Sequence, residues 1–345
     1  MRKYYSIEIL RLLTSLAVII YHYRLFFGPS NTYSSLDFLE IRDKLPFYSL
    51  LEYFYNYGIY GVHIFYAISG FVFAHVYITK KSVGAKEFFI NRFARLYPLH
   101  FATLIIVTCI QYFSFFNYES FLLNAYNDLY HFILQLFFIS SWGFEKGFSF
   151  NVPIWSISVE IGIYVIFFFT LSYIKKFKKL LPISILIFFL ILDKTTLVES
   201  GFIACGILFF SGVLVYQLMQ IQIKKFFFFI IGTLFFILAL TGNFKTFLFS
   251  PSLLLLVVLL DDFIKIKKIK KLFRICGNLT YPLYLLHFPI MITVILIENK
   301  LELSKDIYIS TTFFIIFFLI MIMISYFSFT YFEDPINKKI RNKYK

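Results

Sequence analysis

Charged side chains are scarce in this chain of 345 residues, since Asp, Glu, Lys and Arg together make up 15% of it. A soluble domain of this length would carry about 25% charged and about 45–50% apolar residues. Here 60% of the residues are apolar. A compact fold has no core large enough to bury that excess, so much of it must face lipid. The composition therefore predicts an integral membrane protein.

Cysteine is also scarce, with residues only at Cys109, Cys205 and Cys276, each in or beside an apolar run. None of them forms a Cys-x-x-Cys pair or another spacing typical of metal ligands. The pattern supports neither a disulfide framework nor a zinc site, and we expect no bound metal.

Acidic residues are outnumbered by basic ones, 19 against 33, which leaves a formal net charge of +14. Basic residues of membrane proteins collect in cytoplasmic loops, so this excess does not indicate nucleic-acid binding. Six basic clusters alternate with the apolar runs, at 2–3, 80–95, 175–179, 224–225, 265–274 and 338–345. Placing all six in the cytoplasm predicts a multi-pass protein of the inner (plasma) membrane with both termini cytoplasmic.

The apolar runs predict an all-α, polytopic membrane helix bundle, because a spanning helix needs about 17–25 apolar residues. Clear candidates lie at 7–27, 57–79, 97–116, 153–174, 202–220, 276–297 and 307–332. Shorter ones lie at 180–197, 225–241 and 246–261, which makes about ten helices. The run 129–141 is too short to span and is predicted to be a re-entrant or surface helix on the outer side.

The whole chain, 1–345, is predicted to be a single membrane-embedded domain with no appended soluble domain. Its longest outer segments, about 28–56 and 117–152, are too short for a separate catalytic domain. Any chemistry must therefore be done by the membrane helices and their loops.

The first apolar run carries Glu8, Arg11 and His22, although a charge at the bilayer centre costs several kcal/mol. Arg11 and His22 are eleven residues apart, which is about three helical turns and about 16 Å along one face. Glu8 lies on the same side, three residues before Arg11. The stripe is either a functional site or a Glu8–Arg11 ion pair with His22 at a bundle contact.

Three further segments place polar groups at or in the membrane. Arg92 and Arg95 would project from one side of a short helix in a cytoplasmic loop, where two guanidinium groups suit either a phosphate-bearing ligand or lipid head groups. Glu160 lies about two turns into its helix, so it should face the interior and meet His22, an arginine or water. His287 adds another histidine to the ninth helix.

Six motifs in order resemble the acyltransferase-3 family of membrane acyltransferases, which includes bacterial O-antigen and capsule O-acetyltransferases. They are Arg11 with His22; Gly-Val-x-Ile-Phe-x-x-x-Ser-Gly-Phe at 61–71; Arg-x-x-Arg at 92–95 with Pro98; Trp-Ser-x-Ser-Val-Glu at 155–160; Tyr-x-x-Tyr-Leu-x-His-x-Pro at 281–289; and Glu-x-Pro at 333–335. Each alone is weak, but together they span nearly the entire chain. Glu8 stands where the family commonly has Asp, and Asn91 where a further basic residue is frequent.

The resemblance implies an acyltransferase that takes an acyl group from cytoplasmic acyl-CoA and delivers it across the bilayer. Acetyl-CoA is the expected donor substrate, with no tightly bound cofactor. The acceptor would be a hydroxyl of an envelope glycan, such as a cell-surface polysaccharide, or of a lipid-linked oligosaccharide. The predicted catalytic residues are His22 as base and Glu160 as its orienting partner. Arg11, Arg92 and Arg95 would bind the donor, with supporting roles for Glu8, Ser69, Trp155, Ser158, Tyr164 and His287.

Other classes of membrane protein remain as alternatives. A transporter or flippase of a glycolipid or acyl intermediate would also have buried charges, but it typically shows internal repeats, and none is found. A membrane glycosyltransferase or polymerase would carry a large outer loop with paired acidic residues. A structural scaffold would explain the hydrophobicity but not the combination of His22, Arg11 and Glu160.

Overall fold

The regular secondary structure is entirely helical in the computed structural model, which describes residues 2–28, 41–195, 197–241 and 245–344. Lipid offers no hydrogen-bond partner to the backbone, so apolar runs of this kind form helices that pair their own N–H and C=O groups. The α-helices are α1 (Tyr5–His22), α2 (Tyr48–Tyr57), α3 (Gly61–Tyr77), α4 (Ala85–Tyr118), α5 (Leu129–Leu136), α6 (Ile154–Phe177), α7 (Leu180–Leu192), α8 (Ser200–Leu218), α9 (Lys225–Thr241), α10 (Lys245–Leu260), α11 (Lys267–Leu301), α12 (Thr311–Phe327) and α13 (Asp334–Lys343). The predicted all-α bundle is confirmed.

Among the described residues, seven helical stretches are long and apolar enough to cross a membrane. They are Tyr5–Phe27, Tyr48–Tyr77, Ala85–Tyr118, Ile154–Phe177, Ser200–Leu218, Lys267–Leu301 and Thr311–Lys343. The chain is therefore a multi-pass membrane protein. The predicted total of about ten is not confirmed, because the three shorter runs form helices of 13, 17 and 16 residues. A helix of 13 residues is about 20 Å long, against a hydrocarbon core of about 30 Å.

One outer segment contains more helix than the sequence suggested, and another contains its predicted short helix. Within 28–56, which was predicted as a loop, α2 occupies Tyr48–Tyr57 and continues through a short 3₁₀ turn into α3. Residues 29–40 of that segment lie outside the described ranges. The run 129–141 forms α5, whose eight residues expose Leu129 and Tyr130 and bury His131. The predicted short helix is therefore present, over Leu129–Leu136.

Two boundaries were wrong, because polar stretches continue the helices that they flank. Arg92 and Arg95 lie not in a loop but in α4, which begins at Ala85 and carries Pro98 inside it. Similarly, the last membrane helix does not close at Glu333. It passes through a π-helical segment, Ser328–Glu333, into the polar helix α13. A basic stretch is free to be helical where it leaves the bilayer, so hydropathy alone misses these extensions.

Contacts join the six basic clusters in two groups of three, and we call the surface that carries these clusters the basic face. Contacts join the clusters to one another: Arg2 and Lys225 both pair with Asp262, Lys270 lies over the ring of Tyr5, Lys175 donates to the carbonyl of Lys80, and Lys86 lies over the ring of Tyr344.

Helices α3 and α8 approach each other through a reciprocal pair of glycines. A Cβ atom on Gly70 would lie 1.8 Å from the carbonyl oxygen of Phe209, and one on Gly212 would lie 1.9 Å from that of Ala67. Neither position accepts a side chain without separating the two backbones. This contact holds one wall of the cavity described next.

Candidate active site

A cavity of about 500 Å³ extends into the bundle from the basic face. Lys80, Glu87 and Arg341 line the end that belongs to the basic face, while Phe65 and Tyr284 line the inner end. The walls come from α1, α3, α4, α6, α11 and α13, so the site is assembled from segments distributed over most of the chain. Ligand pockets in proteins typically have volumes of about 300–1,000 Å³, and this one falls within that range.

Arg11, Arg92 and Arg95 all line this cavity. Helix α1 supplies Arg11, and the first turns of α4 supply the other two, which are three residues apart and so project to one side. Arg92 lies 4.7 Å from the centre of the Phe73 ring, and Arg95 lies 5.7 Å from that of Tyr281. Flat guanidinium groups held against aromatic faces keep their N–H donors available for an anion.

Arg11 is also paired within its own helix. Its Nη1 atom lies 3.3 Å from Oε2 of Glu8, which confirms the predicted ion pair. Gly277 of α11 lies against that carboxylate, because a Cβ atom there would be 1.8 Å from the same oxygen. The close approach of α11 therefore holds Glu8, and through it Arg11, at the wall of the cavity.

Glu160 enters the same cavity from α6. Its carboxylate faces the hydroxyl groups of Ser69 and Tyr164 and the charges of Arg92 and Arg11. Its Oε1 atom is nevertheless buried without a hydrogen bond in the described structure, and so is Nε of Arg92. Oδ1 of Asn337, which also lines the cavity, is unpaired as well. Buried polar atoms are normally satisfied, so a polar ligand or water in the cavity would supply the partners that these atoms lack. Of the predicted partners for Glu160, the structure supplies arginine.

His22 lies beyond the inner end of the cavity and pairs with His287. The Nδ1 atom of His22 is 3.0 Å from Nε2 of His287, and the two rings are nearly parallel, at 12°. The Nδ1 atom of His287 is in turn 2.7 Å from the carbonyl oxygen of Tyr284. His287 is fully buried and His22 retains 8% exposure. The structure therefore brings together two histidines that the sequence separates by 265 residues.

Tyr284 is the residue that connects the cavity to the histidine pair. Its side chain lines the inner end of the cavity, where its hydroxyl lies 2.6 Å from Oγ of Ser156. Its backbone carbonyl accepts the hydrogen bond from His287. Glu160 and His22 have no direct contact in the described structure, so the cavity holds the donor-binding candidates and Glu160, and His22 lies one layer away.

Two of the predicted supporting residues, Trp155 and Ser158, lie away from the cavity lining. The ring of Trp155 packs against Gly201 of α8. Ser158 donates from Oγ to the carbonyl of Phe138 at 2.8 Å and accepts from the N–H of Ser141 at 3.1 Å. These contacts fasten the segment after α5 onto α6, which indicates a structural contribution.

Comparison with known proteins identifies the family. A family model described as an acyltransferase domain matches residues 4–330, which is nearly the whole chain. The chain belongs to this acyltransferase family. This is the family that the six motifs resemble.

A curated relative of this acyltransferase is the peptidoglycan O-acetyltransferase OatA of Listeria monocytogenes, which is 30% identical over 146 residues. The alignment covers 37% of this chain and 22% of the relative, so the chain matches about a fifth of that protein's length. No solved structure matches the chain.

Sequence reasoning missed several residues that line the acyltransferase cavity. Tyr281 and Tyr284 were part of a recognised motif, and their spacing of three on an apolar helix already placed them on one face. Ser156 was likewise inside a motif. Lys80 and Arg341 belonged to basic clusters, where nothing distinguished them from the neighbouring lysines. Only the folded arrangement separates a cavity-lining cation from a solvated one.

Proposed function

We propose that this protein is a membrane O-acetyltransferase that moves an acetyl group from cytoplasmic acetyl-CoA to a hydroxyl of an envelope glycan. The observation that carries the proposal is the arrangement of Arg11, Arg92 and Arg95 around one cavity, with His22 a single layer beyond its inner end. Phosphates belong at the basic mouth, and acyl transfer belongs at the histidine.

The cavity suits the donor because coenzyme A carries phosphates at one end and a narrow thioester arm at the other. Three arginines and the outermost cations, Lys80 and Arg341, provide a positive mouth. Arginine binds phosphate oxygens with two N–H groups at once, and such charged hydrogen bonds are about twice as strong as neutral ones. The arm would then extend past Glu160 toward Tyr284. The basic face lies in the cytoplasm in this proposal, by the positive-inside rule.

Transfer requires a base for the acceptor hydroxyl. The hydroxyl oxygen attacks the thioester carbonyl carbon, the C–S bond breaks, and His22 takes the hydroxyl proton and returns it to the departing thiolate. The products are an acetyl ester and the free thiol of coenzyme A. Imidazole suits this role because it exchanges a proton near neutral pH. An alternative mechanism, in which His22 itself carries the acetyl group as an intermediate, uses the same imidazole ring and the same two substrates.

Support for the acetyl group and for a glycan acceptor comes from the relative, whose name states peptidoglycan O-acetylation. The acceptor would reach His22 from the face opposite the basic one, which places the acetylated glycan outside the inner membrane. A peptidoglycan fraction is therefore the first acceptor to test, followed by capsule and lipid-linked oligosaccharide fractions.

The test is transfer of radiolabelled acetyl groups by membranes that contain the wild-type chain, His22→Ala or His100→Leu. His100 is the matched control, because it is a buried histidine of α4 that hydrogen-bonds a backbone carbonyl outside the cavity. We expect label in the glycan with wild type and His100→Leu, and none with His22→Ala at equal protein level. Transfer by His22→Ala at the wild-type rate would overturn the role of His22. Failure of the wild type with every acceptor fraction would overturn the proposed substrates.

A further inference from the structure

We infer that His287 is a positioning residue that fixes the tautomer of His22, so that Nε2 of His22 is the reacting nitrogen. The reactivity of that nitrogen rests on the proposed function, but the tautomer itself follows from the hydrogen bonds alone. The inference thus assigns separate roles to the two ring nitrogens of His22: Nε2 reacts, and Nδ1 binds His287.

The backbone carbonyl of Tyr284 fixes the position of one proton on His287. A backbone carbonyl oxygen can only accept a hydrogen bond, and Nδ1 of His287 lies 2.7 Å from it. Nδ1 of His287 must therefore carry a proton. This contact lies within α11, between residues three apart, so the helix itself maintains it.

The burial of His287 determines its charge. Its ring is fully buried, and no carboxylate contacts it within the described residues. A buried cation without a counter-charge is costly, so the ring is neutral and carries a single proton. Because that proton is on Nδ1, the Nε2 atom of His287 is a bare acceptor.

The unprotonated Nε2 atom of His287 fixes the tautomer of His22. Its Nδ1 atom lies 3.0 Å from the bare Nε2 of His287, so Nδ1 of His22 must donate, and the lone pair of His22 lies on Nε2. Among the described residues, the ring hydrogen bond of His22 is made by Nδ1, and His22 is the less buried member of the pair, with 8% exposure against 0% for His287. The lone pair is thus directed away from His287 and is available to a substrate.

The series Tyr284 carbonyl, His287, His22 does for this site what a buried carboxylate does in a Ser-His-Asp triad, where the third residue holds the base in the correct tautomer. The difference is that a neutral imidazole and a peptide carbonyl replace the carboxylate. No ionised group has to be buried in the middle of the membrane. When Nε2 takes the acceptor proton, the Nδ1–H bond to His287 stabilises the imidazolium that forms.

Nitrogen-15 NMR of histidine-labelled protein in lipid nanodiscs tests the tautomer without any activity. Signals of His22 are assigned by their loss in His22→Gln. We expect protonated Nδ1 and unprotonated Nε2 in wild type, and loss of this fixed tautomer in His287→Leu. A wild-type spectrum with the proton on Nε2 of His22 would overturn the inference, whether or not the protein transfers acetyl groups.

Kinetics provide the second readout. For His287→Leu we expect kcat to fall by about 10²–10⁴-fold, with KM for acetyl-CoA within about twofold of wild type, because the donor cavity is untouched. His287→Gln should recover at least about tenfold over His287→Leu, because its amide oxygen can accept from Nδ1–H of His22. His100→Leu controls for the loss of a buried histidine.

Equal activity of the Leu and Gln variants, or wild-type kcat in His287→Leu, would contradict a tautomer-setting role. If His287→Leu does not fold, the Gln variant and the wild-type spectrum still decide the question. Absence of transfer by wild-type protein that shows the expected tautomer would instead contradict the proposed function and leave this inference standing.

Discussion

Tyr281 donates its hydroxyl to the backbone carbonyl of Leu96, at 2.5 Å, and so joins α11 to α4 beside the donor cavity. Leu96 follows Arg95 directly, and the guanidinium of Arg95 lies over the ring of the same tyrosine. One tyrosine thus fixes the helix that carries the arginines and orients one of them. The stretch that sequence reasoning took for a loop is held as a rigid part of the cavity wall.

This rigidity leads to a prediction about Arg92. Replacing it by alanine should raise KM for acetyl-CoA by about 10–100-fold, the equivalent of one or two charge-assisted hydrogen bonds, with little change in kcat. Acetyl-pantetheine, which lacks the nucleotide phosphates, should show no such difference between variant and wild type. Steady-state kinetics with both donors makes the comparison. Lys86→Ala, on the exposed surface of the same helix, is the control. An equal rise with both donors would show that Arg92 does not bind phosphate.

The ion pair between Glu8 and Arg11 predicts a difference between two conservative changes. Glu8→Gln removes the charge that holds Arg11 and should raise KM for acetyl-CoA severalfold. Glu8→Asp keeps a carboxylate on the same face of α1 and should stay within about twofold of wild type. Kinetics of the two variants in the same nanodiscs decides the point. A larger defect in the aspartate variant would mean that side-chain length, and not charge, is what Arg11 requires.

The contact of Gly70 with Phe209 predicts a loss of stability. Gly70→Ala forces a methyl group into a backbone carbonyl, and overpacking of this kind costs about 1–3 kcal/mol. Gly84→Ala is the matched control, since no atom lies within 4 Å of its added Cβ atom. Thermal unfolding in detergent should show a lower Tm for the first variant and an unchanged one for the second. Equal Tm values would mean that α3 and α8 can separate without cost.

The hydrogen bonds of Ser158 predict a stability defect without a catalytic one. Ser158→Ala removes the acceptor of the Ser141 N–H and the donor to Phe138, at about 1 kcal/mol for each bond. Its Tm should fall while kcat and KM of the folded protein stay unchanged. Ser184→Ala, an exposed serine bonded only to its own helix among the described residues, should alter neither. A fall in kcat at normal Tm would instead return Ser158 to the site.

The apolar runs predicted the positions of the helices well, because a segment in lipid must satisfy its own backbone. Hydropathy does not predict where the helices begin and end. Nothing in hydropathy distinguishes a basic loop from the basic first turns of α4, which is why Arg92 and Arg95 were placed in a loop. Runs of intermediate length, such as the one that forms α7, also leave the number of crossings open, since a short helix can be partly immersed or tilted.

The polar residues of the site were predictable one by one, because each is expensive in a membrane. Their partners were not. The sequence suggested that Glu160 would meet His22, an arginine or water, and the fold supplies Arg11 and Arg92 to Glu160 and His287 to His22. Those pairings join α6 to α1 and α4, and α11 to α1, so no local pattern contains them. The catalytic and donor-binding roles themselves stay predictions until the variants are measured.

The layer formed by Tyr284 and His287 also affects how well the protein keeps the membrane impermeable. A cell membrane must hold its electrochemical gradient, and a water-filled passage through the protein would dissipate it. The cavity ends at Tyr284, and the histidine pair behind it is buried and fully engaged in hydrogen bonds on its inner side. In the proposed reaction, only the acyl end of the donor and the acceptor hydroxyl would meet at this layer, while the bulk fluids on the two sides stay apart.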